Sequence, residues 1–266
     1  MPTVICPDKR LAFIHIPKNG GSSVGYQLAR KLDCDPRFLG TSLTDHPDLG
    51  RYMSSHVPLW AIERSFPDAL EALRTGRSFA LVRAPRARFV SALSQHLREF
   101  RDQDINDIDS AALETVIGDV RAAFDRGPEA LLGEYVHFIP QSDFIDLRGE
   151  RIVDALYPLE ALPQMAEELS RLSGVTLTGE KKENTTTHYR SPAYRAALGR
   201  FGPVARRLLP RRLFDAARET VRSVAIVKAP SRLSDVLEAP QVDAFLQAAY
   251  AADFALHDQL QAGRAA

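Results

Sequence analysis

The stretch Leu11-Ala-Phe-Ile-His-Ile-Pro-Lys-Asn-Gly-Gly-Ser-Ser-Val24 decides how the rest of the chain is read. Its apolar run, residues 11–16, is too short for a helix and breaks at Pro17 into Lys18, Asn19, two glycines and two hydroxyl side chains. Apolar side chains then recur at Val24, Leu28 and Leu32, the spacing of one helix face. Strand, polar loop and helix in that order build an anion site, because the free N–H groups of a helix start converge on one point. Gly20 and Gly21 let the backbone turn and approach a ligand closely, and Ser22 or Ser23 is placed to cap the helix. The Lys18 ammonium adds a full charge. The expected ligand carries phosphate or sulfate.

Working outward, residues 78–82 (Ser-Phe-Ala-Leu-Val) form a second short apolar run. Arg83 ends it, Pro85 stands where a first helical position falls, and Phe89, Val90, Leu93 and Leu97 carry a helix to about residue 100. Two strand-to-helix units predict an α/β domain, with a parallel sheet flanked by helices. Ligands of such sheets bind beyond the carboxyl ends of the strands, which is where Lys18 and Arg83 fall. Residues 33–51 read as a connection, and 51–60 as a short strand-like piece that leaves His56 at its end. Helices are expected over 60–73, split at Pro67, over 110–124, and briefly over 128–135. Residues 151–157 read as a third strand, 158–172 as a helix with Leu159, Leu162, Met165, Leu169 and Leu172 inward, and 242–260 as a closing helix. Arg86 and Arg88 read as surface charges on the second helix.

The 266 residues suffice for one large domain, and 34 basic side chains balance 34 acidic ones. Zero net charge gives no general steering toward nucleic acid. The N-terminus lacks the pattern of a signal peptide, and no apolar run approaches a membrane span. Cys6 and Cys34 could pair, but a domain of this size hardly needs the staple; the expectation is free thiols and a soluble, cytoplasmic protein. The compositional outlier is 195–222, with arginines at 195, 200, 206, 207, 211, 212, 218 and 222 among apolar residues. Within a single domain spanning 1–266, residues 195–235 are a candidate basic helical insertion. Two readings stand: a basic flap over an anionic substrate or a membrane surface, and, favoured here, ordinary surface helices with a solvated basic face.

The loop is not a Walker motif, since Lys18 precedes the glycines instead of following them, and it is not Gly-x-Gly-x-x-Gly. His-Ile-Pro-Lys-Asn-Gly-Gly-Ser-Ser instead resembles the 5′-phosphosulfate loop of sulfotransferases that use 3′-phosphoadenylyl sulfate (PAPS). It is most similar to the membrane-associated carbohydrate class, whose loop reads His-Ile-Pro-Lys-Thr-Gly-Gly-Thr-Ser. Leu81-Val-Arg-Ala-Pro-Arg-Ala-Arg-Phe-Val-Ser-Ala92 resembles that family's second signature, an Arg at a strand end and a Ser eight residues on. Ser55-His-Val-Pro58 resembles its His-containing segment, Pro140-Gln-Ser and residues 157–160 its middle segments, Asn184 its late Asn, and Tyr250-Ala-Ala-Asp-Phe254 its closing helix. The matches run in order along nearly the whole chain. Asn19, Ala84 and Ser55 depart from the family's usual Thr, Asp and Gly.

The resemblance implies a sulfotransferase fold with a P-loop-like sheet. It implies PAPS bound by Pro17, Lys18, Asn19, Gly20, Gly21, Ser22, Ser23, Arg83 and Ser91, the last two on the 3′-phosphate. Lys18 and His56 are the implied catalytic pair: a cation at the leaving oxygen and a base for the acceptor hydroxyl. His15 reads as structural, and His46, His137 and above all His188 compete with His56 for the base. No metal-ligand spacing is found, and none is expected. The implied acceptor is a hydroxyl of a glycan, a glycolipid or another small molecule. A kinase-like phosphoryl transferase and a non-catalytic nucleotide binder are the alternatives; oligomeric state is not readable.

Overall fold

The computed structural model describes residues 3–179 and 236–265. It begins with β1 (Val4–Cys6) and β2 (Leu11–Ile14), an antiparallel pair, and after the loop comes α1 (Ser22–Lys31). A hairpin of β3 (Leu43–His46) and β4 (Gly50–Met53) leads into α2 (Leu59–Ser65) and α3 (Pro67–Thr75). Then follow β5 (Arg77–Val82), α4 (Pro85–Phe100) and α5 (Ser110–Asp125). A second hairpin, β6 (Asp146–Leu147) with β7 (Glu150–Arg151), precedes β8 (Ala155–Pro158) and α6 (Leu162–Ser173). Beyond the undescribed stretch lie α7 (Pro240–Ala249) and α8 (Ala251–Ala265).

The main sheet has the order β1-β2-β5-β8; β2, β5 and β8 run parallel, with β1 as an antiparallel edge. This is the expected mixed α/β architecture. Side chains alternate between two cores. Phe13, Phe79 and Leu81 pack on one face with Val24 and Leu28 of α1 and Leu162, Met165 and Leu169 of α6. Ala12, Ile14, Ala80 and Val82 pack on the other with α2 to α5 and the C-terminal helices. A strand covered on both faces needs apolar residues at every position, which is why β2 and β5 read as unbroken apolar runs. The parallel strands finish along one edge, where Ile14 pairs with Ala80 and Val82 with Pro158.

Several expectations are corrected. Residues 33–51 contain most of a hairpin, hidden by its polar content; Gly50, at φ 64°, makes its turn and His46 packs against Tyr52 and Phe66. Residues 151–157 are not one strand: the Ile152 and Val153 N–H groups both donate to Ile145 O, and Asp154 accepts from the Ser78 N–H before β8 begins. Residues 128–135 hold only a 3-10 turn, Pro128–Leu131. Residues 158–172 open as a 3-10 turn, and Leu172 faces solvent while Ser173 is buried. The closing helix breaks at Tyr250, whose hydroxyl donates to Phe138 O.

Neither Ser22 nor Ser23 caps α1; its N-cap is Gly21, with no side-chain bond. Cys6 and Cys34 are not free thiols but a disulfide, because the Asp35 N–H donates to Ile5 O and so draws the segment after α1 onto β1. Arg88 is not a surface charge; it is 1% exposed. The basic stretch 195–222, the wider 195–235, Asn184 and His188 lie outside the described residues. Among the described residues, no helix is long and apolar enough to cross a membrane.

Candidate functional site

The loop between β2 and α1 leaves the sheet at its carboxyl edge and folds under backbone constraint. Lys18 and Gly20 both have positive φ, 66° and 80°, a conformation that costs a lysine roughly 1–2 kcal/mol. Gly21 lies against Phe13 and His15: a Cβ there would come within 2.6 Å of the Phe13 ring. The glycines are thus required by packing as well as by the turn. Because no side chain among the described residues caps α1, its first-turn N–H groups keep their donor capacity.

Lys18 is half-buried, and its Nζ donates to Gln95 Oε1 at 3.2 Å. Desolvation first, then the neighbouring Arg98 and Arg83 charges, lower its pKa to about 8, against a weaker opposing pull from Glu99. Arg83 is brought to the same place: its Nη1 donates to Lys18 O at 3.0 Å, and burial together with Arg88 lowers its pKa. Ser91 lies half-buried on α4, and the helical period aligns it with Gln95 and Arg98. Sequence reading missed Gln95 and Arg98. The available signal was that 91, 95 and 98 share a helix face directed at the loop.

The Asn19 side chain packs into the protein, with its Oδ1 lacking a partner among the described residues. It is buried, and its Nδ2 donates to Leu81 O and to Gln141 Oε1. Ser22 and Ser23 are half-buried at the start of α1, and Pro17 is buried. Ser23 also accepts from Gln27 Nε2 through its hydroxyl and its carbonyl.

His56 sits in a buried row of three imidazoles, 5.2 Å from the His15 ring and 5.7 Å from the His137 ring. Its Nδ1 lies 3.4 Å from His15 O. With Nδ1–H donating there, Nε2 is the nitrogen left to accept a proton. Desolvation lowers all three histidines, with smaller contributions from one another and from Lys18; His15 falls to about 3, and His56 and His137 fall well below the ordinary value. The row was not foreseen, since the three positions are far apart in the chain.

These depressions fix the sign of an acid effect. The unfolded chain takes up protons below about pH 6.5 that the folded chain refuses, so stability present at neutral pH is lost as pH falls. Each histidine held neutral contributes a slope of about 1.4 kcal/mol per pH unit. Asp143 works in the opposite sense, since burial raises its carboxyl to about 6 and the fold gains one proton there. Urea midpoints measured from pH 7.5 to 5 are expected to fall steadily; a flat profile would show that the row is protonated in the folded state.

Comparison with protein-family models, curated proteins and solved structures found no match. Among the described residues, no group of three or more His, Cys, Asp or Glu could hold a metal ion.

Proposed function

We propose that this chain is a PAPS-dependent sulfotransferase with a P-loop-like sulfotransferase fold, acting on a hydroxyl of a glycan, glycolipid or other small acceptor. The observation that carries the reading is the charge at the loop: a desolvated Lys18 ammonium that, among the described residues, bonds only a neutral amide, with Arg83 braced on its carbonyl and a helix start that no described side chain caps beside it. Cations held out of water beside free N–H groups fit a ligand with several negative oxygens. That donor set suits the two anionic ends of PAPS.

PAPS, when bound, supplies an activated sulfuryl group. Lys18 would neutralise the negative charge that grows on the phosphate oxygen as its bond to sulfur breaks. The N–H groups of Gly21, Ser22 and Ser23 would hold the non-bridging oxygens. Arg83 and Ser91 would hold the 3′-phosphate. His56 Nε2 would take the proton of the acceptor hydroxyl as its oxygen bonds to sulfur, and a neutral imidazole is the form able to do so. The Asn19 side chain drops out of the ligand set and acts from beneath the loop. The Cys6–Cys34 pair favours an oxidising compartment over the cytoplasm.

Calorimetric titration with 3′,5′-adenosine diphosphate tests the cofactor. Binding is expected, and Arg83→Ala should weaken it by roughly tenfold or more, the loss of one charged hydrogen bond. Tight ATP binding with no response to 3′,5′-adenosine diphosphate would overturn the proposal in favour of phosphoryl transfer. Labelled PAPS screened against glycan, lipid and phenol acceptors then identifies the acceptor. With it in hand, His56→Ala is expected to lower kcat about 10²-fold or more. A near-full rate would move the base elsewhere, with His188 next.

A further inference from the structure

The loop at 17–23 is not held by its own strand and helix alone. The Gln141 carboxamide pairs with the backbone just beyond β5: its Oε1 accepts from the Arg83 N–H at 2.9 Å and its Nε2 donates to Arg83 O at 3.0 Å. The same Oε1 accepts from Asn19 Nδ2 at 2.7 Å, and that Nδ2 also reaches Leu81 O. One side chain therefore ties the backbone of Arg83 to the residue that follows Lys18. Its own backbone is fixed in turn from α8: Asp253 Oδ2 accepts from the Gln141 N–H at 2.8 Å, and Asp253 Oδ1 from the Ser142 N–H at 2.9 Å. Asn19, Gln141 and Asp253 are all at or below 1% exposure.

We infer that Gln141, seated by Asp253, is a positioning residue for the anion site. It sets the separation of Lys18 from Arg83 and makes the C-terminal helix part of that site's framework. The physical reason lies in what these groups could do otherwise. Buried amides and carboxylates are costly to leave unmet. Here the Gln141 carboxamide is met by the Arg83 backbone and Asn19 Nδ2, and the Asp253 carboxylate by the Gln141 and Ser142 N–H groups, while Asn19 Oδ1 has no partner among the described residues. Arg83 also bonds Lys18 O, so the bracket closes a ring: Lys18, Asn19, Gln141, Arg83 and back to Lys18. A closed ring of bonds resists the drift of either cation. Loops set to a ligand in advance lose less ordering entropy on binding. This assignment rests on the functional reading above only for which ligand the site takes.

The test compares Gln141→Met, of similar length but without the amide, with Tyr250→Phe. Tyr250 clamps the same segment through Phe138 O, and its hydroxyl bonds neither Lys18 nor Arg83 among the described residues. Both variants should lose stability. In hydrogen exchange of the full chain, Gln141→Met is expected to raise exchange at residues 17–23 and 81–84 about tenfold, one hydrogen bond's worth, and Tyr250→Phe to leave them within about twofold. Affinity for 3′,5′-adenosine diphosphate should fall about tenfold in the first variant and hold in the second. Gln141→Glu keeps the oxygen that accepts from Arg83 and Asn19, and should recover part of the loop protection. Equal loop exchange in Gln141→Met and Tyr250→Phe would overturn the inference and leave Gln141 a core residue. If Gln141→Met does not fold, Asp253→Asn carries the same comparison. Should no variant nor the parent bind the diphosphate, the cofactor reading fails while the exchange data still decide the bracket.

Discussion

Lys18→Ala is expected to lower the proposed sulfuryl transfer by about 10³-fold, because an electrostatic contact made to developing charge in a water-poor site is worth that order in kcat. Lys18→Gly sharpens the test. It removes the ammonium and also the left-handed strain at φ 66°. Lys18 titrates near 8 in the folded chain and 10.5 in the free side chain, so below about pH 8 its charge opposes folding. That opposition fades as pH rises from about 8 toward 10.5. Lys18→Gly should therefore be inactive at pH 7 yet more stable, by about 1 kcal/mol or a few degrees in Tm, after the greater entropy of glycine in the unfolded chain is offset. A stability loss would show that the lysine is held for structure. Ligand binding carries a linked signature: an anion draws the proton back, so at pH 9 calorimetry in buffers of different ionisation enthalpy should show proton uptake. Lys18→Ala should abolish that uptake.

The second large effect lies in the core. Arg88 Nη1 and Nη2 donate to His137 O and Ile139 O at 3.1 and 2.9 Å, and its guanidinium sits 5.3 Å from the centre of the Tyr250 ring. It opposes the upward shift that burial and Asp253 impose on Asp143. Arg88→Met is expected to destabilise the chain by about 3–5 kcal/mol, since it leaves two buried carbonyls unmet, takes the cation off the Tyr250 ring and removes the charge that opposes the upward shift of Asp143. Arg88→Lys should recover little, as a point ammonium cannot bond both carbonyls and stack on the ring. Arg86→Ala, two residues away and paired with Asp243 in solvent, should stay within about 0.5 kcal/mol. Urea unfolding of the three variants decides the matter; an Arg88→Met loss under about 1 kcal/mol would mean that the site relaxes around the vacancy.

The contrast between Arg86 and Arg88 shows where sequence reading stops. Both stand on one amphipathic helix, and nothing local says which arginine meets two carbonyls from a segment some fifty residues on. The strand-to-helix units were readable because β2 and β5 are buried on both faces and so leave unbroken apolar runs. The hairpin β3–β4 was not, because a mostly solvent-facing pair carries Thr, Asp and His, whose pattern is also that of a loop. Lys18 and Arg83 could be paired in the sequence because parallel strands deliver their ends to one edge. Gln95, Arg98 and the row His15, His56 and His137 could not.

By itself the sequence determined a parallel-stranded α/β core and the strand–loop–helix unit that sets Lys18 at the edge of its sheet. These follow from local rules: apolar run length, a helical period, glycines where the backbone must turn. Tertiary structure alone decided what surrounds the loop. It turned the Asn19 side chain into the protein and spanned Arg83 with Gln141. It also fixed Gln141 through Asp253, buried His56 between two other imidazoles, and paired Cys6 with Cys34. Each of these depends on which distant groups share a small, water-poor volume, where an unmet polar group is costly and its partner cannot be chosen from neighbours in the chain.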